Sequence, residues 1–125
     1  MSQFLVLLYD SPAALERFSR LSPEEMQACI EQYVAWSERL AAEGRLVATE
    51  KLRDGTGRVL RGRGGAPVVT DGPFAETKEV IGGYFLIRAA NYDDAVDVVR
   101  SCPHLEWDGT VEVREIEPVG VPSEG

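Results

Sequence analysis

The segment that decides the fold is VIGGYFLI at residues 80–87, which is apolar at both odd and even positions. A strand with apolar side chains on both faces lies inside a sheet and is covered from two sides. The stretch FLVLLY at residues 4–9 has the same character and predicts a second central strand. The adjacent Gly82 and Gly83 predict a bulge, or a close approach by another backbone, within the first of these strands.

One long amphipathic helix is predicted between these two strands, over residues 23–43. Ser22 and Glu25 form a capping box, Pro23 occupies the first helical position, and Gly44 follows the last turn. The predicted apolar stripe repeats at helical spacing, with Cys29 and Trp36 flanking it, and consists of Met26, Ile30, Tyr33, Ser37, Leu40 and Ala41.

The remaining elements are shorter. Three short strands are expected at residues 46–49, 58–61 and 66–70, and the alternating residues 110–116 predict a half-exposed final strand. Asn91 is a candidate cap for a second helix. Residues 13–20 carry only a weak helix signal. The predicted order is therefore β-α-β, a hairpin, and β-α-β.

This order favours an α+β sandwich with an antiparallel sheet and two helices on one face. Two helices leave the other sheet face uncovered, and a second copy of the chain is the simplest cover for it. The 125 residues suit a single domain, which we place at residues 1–117, with a loosely ordered tail at 118–125.

Composition narrows the function classes. The chain has 21 acidic and 13 basic residues, a net charge of -8, and therefore no general basic face for nucleic acid or anionic membranes. Cys29 and Cys102 are the two cysteines, and their spacing matches neither a zinc site nor a disulfide framework. With one histidine besides, the sequence offers no metal-ligand cluster, and we expect no cofactor. We expect a cytoplasmic protein.

A longer motif carries a family resemblance. The segment DGPFAETKEVIGGY at residues 71–84 resembles the signature of the YCII-related proteins of the DGPF type. The end of the long helix, the Asp93-Asp94-Ala95 helix start, the Cys102-Pro103 pair and the final strand resemble that family in order and spacing. The resemblance implies a ferredoxin-like fold that pairs into a dimeric α/β barrel, and hence a homodimer.

The resemblance also bears on function. Members of this family generally lack an assigned reaction, and a His–Asp pair in a cleft has been suggested as an active site for the wider YCII family. Genes of the DGPF type often lie beside those for extracytoplasmic-function sigma factors, which implies a functional link to a sigma factor. The resemblance therefore leaves both an enzyme and an accessory protein open.

Asp71 and His104 are the candidate catalytic residues. Asp71 at a strand end is placed to act as a general base or to orient a histidine. An Asp-Gly-Pro sequence is more typical of an Asx-turn, and the two interpretations are compatible. His104 is the sole histidine, and an imidazole side chain is suited to proton transfer near neutral pH. The alternative for His104 is a surface histidine in a loop.

Phe74, Glu76, Lys78 and Tyr9 are the candidate ligand-binding residues. Lys78 is suited to hold an anionic group, whereas the alternating charges around it are also typical of a solvated loop. The glycine- and arginine-rich stretch at residues 58–65 is more typical of a protruding hairpin or partner contact than of a phosphate loop, because no helix follows it.

Two function hypotheses follow. In the first, a homodimeric protein binds a small organic ligand, without metal or cofactor, and Asp71 and His104 transfer protons. In the second, the protein is a non-catalytic accessory whose DGPF loop and arginine hairpin form a structural or partner-binding surface. An apolar pocket with convergent polar groups would favour the first hypothesis.

Overall fold

A computed structural model describes residues 1–62, 64–72 and 79–120 of the chain. The strands and helices, in chain order, are β1 (Ser2–Asp10), α1 (Pro12–Ser19), α2 (Pro23–Ala42), β2 (Leu46–Lys51), β3 (Arg58–Arg61), β4 (Val68–Asp71), β5 (Val80–Ala89), α3 (Tyr92–Val99) and β6 (Thr110–Glu115). A short 3-10 helix, Pro103–Trp107, links α3 to β6.

The main sheet has four strands in the order β2-β5-β1-β6, and every neighbouring pair is antiparallel. This is the strand order of a ferredoxin-like fold, so the predicted α+β class is confirmed. The strands β3 and β4 form a separate antiparallel hairpin inserted between β2 and β5.

Both apolar segments lie at the centre of the sheet, as predicted, because β1 pairs with β5 and each has a second neighbour. The even positions of β1 are buried beneath the helices, including Phe4, Val6 and Leu8. The odd positions Leu5 and Leu7 point to the opposite face and are half-buried. One sheet face therefore carries the core, and the helices leave the other face uncovered.

The helix α2 begins as its sequence predicts. The Ser22 hydroxyl accepts a hydrogen bond from the Glu25 backbone N–H, and the Glu25 carboxylate accepts one from the Ser22 N–H. The buried stripe is rotated from the predicted one and consists of Cys29, Trp36 and Leu40, with Tyr33 packed partly against the core. Ile30 is instead 46% exposed.

The helix α1 is the main element that the sequence signal underestimated. The Ser11 hydroxyl caps its first turn by accepting a hydrogen bond from the Ala14 N–H. Ala14 is the buried residue of this helix, so its apolar periodicity is weak. The Arg17 guanidinium ties α1 to the carbonyl oxygen of Trp107 at 2.8 Å. The described residues thus form three α-helices rather than the predicted two.

None of the helices in the described ranges has the length and apolar character needed to cross a lipid bilayer.

Candidate functional site

A cavity of about 340 Å³ lies between the main sheet and α2. Its walls are mainly apolar, with side chains from three elements: Leu8 and Phe85 from the sheet, Phe18 from α1, and Met26, Ile30 and Val34 from α2. Asp10, Tyr33 and His104 also line it. Convergence of a few polar groups in an apolar cavity is typical of a small-molecule site.

His104 is 4% exposed, so the surface-loop interpretation of this histidine is wrong. Its Nε2 lies 2.8 Å from the Tyr9 carbonyl oxygen, and its Nδ1 lies 2.8 Å from the Tyr33 hydroxyl. A carbonyl oxygen can only accept, so the hydrogen-bond network assigns a hydrogen to Nε2. In the neutral ring, Nδ1 then accepts the hydrogen of the Tyr33 hydroxyl. Both ring nitrogens are therefore satisfied by the protein.

Asp10 ends β1 beside this histidine. Its Oδ1 lies 3.5 Å from His104 Nε2, and the residue is 6% exposed. Burial raises the pKa of the Asp10 carboxyl, and the nearby His104 acts in the opposite direction. A buried carboxyl with a raised pKa beside an imidazole, in a cavity, is suited to accept and return a proton.

Two glycines make room for this pair. A Cβ on Gly82 would lie 2.0 Å from Asp10 Oδ2, and a Cβ on Gly109 would lie 2.3 Å from His104 Cδ2. The register between β1 and β5 shifts between Leu8 and Tyr9, which leaves Gly82 without a partner in β1. The predicted bulge is confirmed, and it seats the Asp10 carboxylate.

Tyr33 completes the polar end of the cavity. Burial raises the pKa of its hydroxyl far above the ordinary value, with smaller contributions from Cys29, Cys102 and Asp10. The phenol therefore keeps its hydrogen at physiological pH and donates it to His104 Nδ1. Tyr33 holds the imidazole in the tautomer with its hydrogen on Nε2.

Asp71 lies elsewhere in the fold. It ends β4 in the hairpin, its side chain is 91% exposed, and its Oδ1 lies 3.5 Å from Arg58 Nη1. Within the described part of the chain, the carboxylate next to His104 belongs to Asp10. The pairing of Asp71 with His104 stays a prediction.

Tyr9 enters the site through its backbone. Its carbonyl oxygen accepts from His104 Nε2, whereas its side chain hydroxyl donates to Glu112 Oε1 at 2.7 Å, across the pair between β1 and β6. The predicted ligand contacts Phe74, Glu76 and Lys78 lie outside the described residues.

Sequence reasoning missed Asp10 and Tyr33, although one signal for Asp10 was available. In β1 the even positions 4, 6 and 8 are apolar, and Asp10 continues the same parity. An acid on the buried face of a central strand requires a compensating partner, so it is a candidate functional group. Tyr33 lies on the predicted helix stripe, where an aromatic residue is usually part of the core.

In the described part of the chain, no three His, Cys, Asp or Glu side chains are grouped so as to hold a metal ion. The polar end of the cavity consists instead of one carboxylate, one imidazole and one phenol.

Comparison with known proteins places the chain in a family. Residues 2–119 match the YCII-related domain, so the chain belongs to the YCII-related family. It is also similar to an uncharacterized protein of Rhizobium meliloti (strain 1021), with 31% identity over 115 residues that cover 90% of each chain. The resemblance to the YCII-related family stated from the sequence is confirmed.

Proposed function

We propose that this protein binds a small, largely apolar organic molecule in the cavity and that Asp10 acts there as a general base. The observation that carries this proposal is the buried Asp10 carboxylate, which lines the cavity 3.5 Å from His104 Nε2. His104 would serve as a positioning residue, because both of its nitrogens already have protein partners. The proton of a bound substrate would pass to Asp10.

Electrostatics support this division of roles. A general base needs an ionised carboxylate whose proton affinity is higher than that of an ordinary surface acid. Burial supplies the higher affinity by raising the pKa of Asp10. The adjacent His104 acts in the opposite direction and favours the charged form of the carboxyl.

The test uses Asp10→Asn, with Asp71→Asn as its matched control, since the exposed Asp71 also ends a strand beside a basic residue. A metabolite library is screened by thermal shift on the three proteins, and hits are incubated in D₂O while their proton NMR signals are followed. We expect hits that stabilise the wild type and the Asp71 variant. Deuterium incorporation at a substrate position should disappear in the Asp10 variant.

Equal behaviour of all three proteins toward every compound would overturn the proposal. It would favour the second hypothesis, in which the protein is an accessory that acts through its surface. Binding without any exchange would retain the site as a ligand site and remove the role of Asp10 as a base.

We propose in addition that the protein is a homodimer formed through the open face of the main sheet. Leu5, Leu7, Tyr84 and Leu86 are half-buried on this face in the protomer. Burying them against a second copy would supply the cover that the helices give to the other face. Sedimentation velocity at micromolar concentration tests this, and a stable monomer would contradict it.

A further inference from the structure

The side-chain hydroxyls that line the cavity donate their hydrogens to other groups of the protein. Ser37 and Thr49 line it, but the Ser37 hydroxyl donates to the Tyr33 carbonyl oxygen and the Thr49 hydroxyl donates to the Tyr84 carbonyl oxygen, both at 2.9 Å. A hydroxyl has a single hydrogen, so neither can donate to a ligand while these bonds persist.

At the polar end of the cavity, formed by Asp10, Tyr33 and His104, the side-chain hydrogens are likewise used in bonds within the protein. When the imidazole is neutral, the Tyr33 hydroxyl donates its hydrogen to His104 Nδ1, and His104 Nε2 donates its hydrogen to the Tyr9 carbonyl oxygen. In its ionised form, which a bound cation would stabilise, the Asp10 carboxylate has no hydrogen to give. What remains for a ligand are lone pairs on Asp10 and on the Tyr33 oxygen.

Lys51 is the cationic side chain among the described residues that line the cavity. Its ammonium lies 2.8 Å from Asp54 Oδ1 and also donates to the Leu52 carbonyl oxygen. Its side chain is 66% exposed, whereas that of Asp10 is 8% exposed. The cation therefore lies at the solvent side of the cavity with its charge paired, and the buried end is left with a carboxylate.

Because the polar end offers acceptors and a carboxylate, we propose that the ligand is a primary amine with an apolar remainder. Its ammonium group would lie at Asp10 and Tyr33. An ammonium has three donors and no acceptor, which is the complement of this end of the cavity. It also brings the charge opposite to that of Asp10, and charge-assisted hydrogen bonds are the strong ones. A carboxylate ligand would bring a like charge and find no donor there.

The apolar walls of the cavity determine which chemical groups can form the rest of the ligand. Phe18, Phe85, Met26 and Ile30 surround a volume that suits an aromatic or branched aliphatic group. The inference deepens the binding part of the proposed function, since it rests on the same cavity and names the ligand class for it. With an ammonium group paired to Asp10, the carboxylate binds this ligand and takes no proton from the ammonium.

The test compares three probes that share a phenyl-alkyl body: 2-phenylethylamine, 2-phenylethanol and 3-phenylpropionate. Dissociation constants are measured by titration calorimetry at neutral pH with the wild type, Asp10→Asn and the control Asp71→Asn. A charged hydrogen bond in place of a neutral one predicts that the amine binds the wild type about tenfold or more tightly than the alcohol. This preference should vanish in Asp10→Asn and persist in Asp71→Asn.

A second measurement keeps the test decisive if Asp10→Asn does not fold. In the wild type alone, saturation of the protein with the amine should shift the side-chain NMR signals of the single histidine. The alcohol at equal concentration should shift them less, because it lacks the charge.

Other outcomes overturn the inference in distinguishable ways. If the alcohol or the carboxylate binds as tightly as the amine and still depends on Asp10, the ligand class is wrong and the proposed function stands. If the carboxylate binds best and loses affinity in Lys51→Met, the exposed side of the cavity recognises an anion and the amine assignment fails. If no probe binds at millimolar concentration, both the ligand class and the role of the cavity are contradicted.

Discussion

Asp10 and Asp71 each end a β-strand, and each carboxylate has a basic neighbour at 3.5 Å, His104 in one case and Arg58 in the other. The Asp10 side chain is 8% exposed, and that of Asp71 is 91% exposed. The first lies in a sheet covered by helices, and the second lies in a two-stranded hairpin that stands apart from that sheet.

The difference shows that ending a strand beside a basic residue does not by itself make a carboxylate reactive. Solvent around Asp71 screens its attraction to Arg58, so this ion pair contributes little to the stability of the protein. Around Asp10 water is largely excluded, and each neighbouring charge or hydrogen bond acts more strongly. Layer packing, rather than the residue type or its turn motif, separates the two sites.

The largest effect is expected for a comparison of two leucines, one in the core beneath the helices and one on the hairpin. Leu40 is fully buried in the core and Leu60 is 62% exposed on the hairpin. We expect Leu40→Ala to lower the free energy of unfolding by about 2–5 kcal/mol, because it leaves a cavity as well as losing apolar burial. Leu60→Ala should cost less than about 0.5 kcal/mol. Urea denaturation measures both, and equal losses would show that the hairpin is packed against something in solution.

The next test concerns glycines. A Cβ on Gly109 would lie 2.3 Å from the His104 ring and 2.6 Å from the His104 carbonyl oxygen, whereas nothing lies within 4 Å of a Cβ on Gly65. Because a backbone atom must move, we expect Gly109→Ala to destabilise the protein by about 1–3 kcal/mol. Gly65→Ala should change stability by less than about 0.5 kcal/mol. Thermal unfolding of the two variants decides, and a neutral Gly109→Ala would refute the packed position of His104.

These glycines also show what sequence can and cannot reveal. The both-face apolar pattern of residues 80–87 predicted a central strand, and the Gly82-Gly83 pair predicted its bulge, because both depend on local backbone geometry. The occupant of the bulge was not predictable, since Asp10 lies some 70 residues away in sequence and meets Gly82 only through strand pairing. Local rules therefore predicted the scaffold, whereas the Asp10–His104 contact depends on long-range register.

The rotated stripe of α2 has a similar cause. Helical spacing allowed Ile30 or Trp36 to face the core, and the choice depends on which side of the helix meets the sheet. In the structure the Trp36 ring packs against Phe85 with centroids 4.7 Å apart, so Ile30 is turned toward the cavity and solvent. The rotation also brings Tyr33 to His104.

A smaller effect is expected from single hydrogen bonds. Tyr33→Phe removes the donor to His104 Nδ1 and leaves a buried acceptor without a partner, which should cost about 1–2 kcal/mol. The hairpin counterpart is Thr70→Val, whose hydroxyl makes a long 3.5 Å bond to the Val59 carbonyl oxygen and is exposed, so less than about 0.5 kcal/mol is expected.

Nitrogen-15 NMR of the single histidine gives a readout that stability alone does not. In the wild type we expect the hydrogen on Nε2, and in Tyr33→Phe a mixture of tautomers, because Nδ1 no longer accepts from the phenol. Thr70→Val should leave the histidine signals unchanged. Identical tautomers in all three proteins would show that the Tyr9 carbonyl alone holds the ring.

The pH dependence of stability compares the two carboxylates most directly and with the smallest expected effect. Burial raises the pKa of Asp10 in the folded protein above its unfolded value near 3.8, so the folded state binds this proton more tightly. The stability that the proton contributes is fully present below the unfolded pKa and is lost as pH rises through the folded pKa.

Asp10→Asn has no such proton, so we expect it to gain stability relative to the wild type as pH rises through this window. The gain should level off above the folded pKa. Urea denaturation from pH 3.5 to 8 measures the difference, with Asp71→Asn, expected within about 0.5 kcal/mol of the wild type at neutral pH, as the control. A difference between Asp10→Asn and wild type that does not change with pH would mean that Asp10 is solvated like Asp71, and the contrast between the two regions would then not extend to their carboxylates.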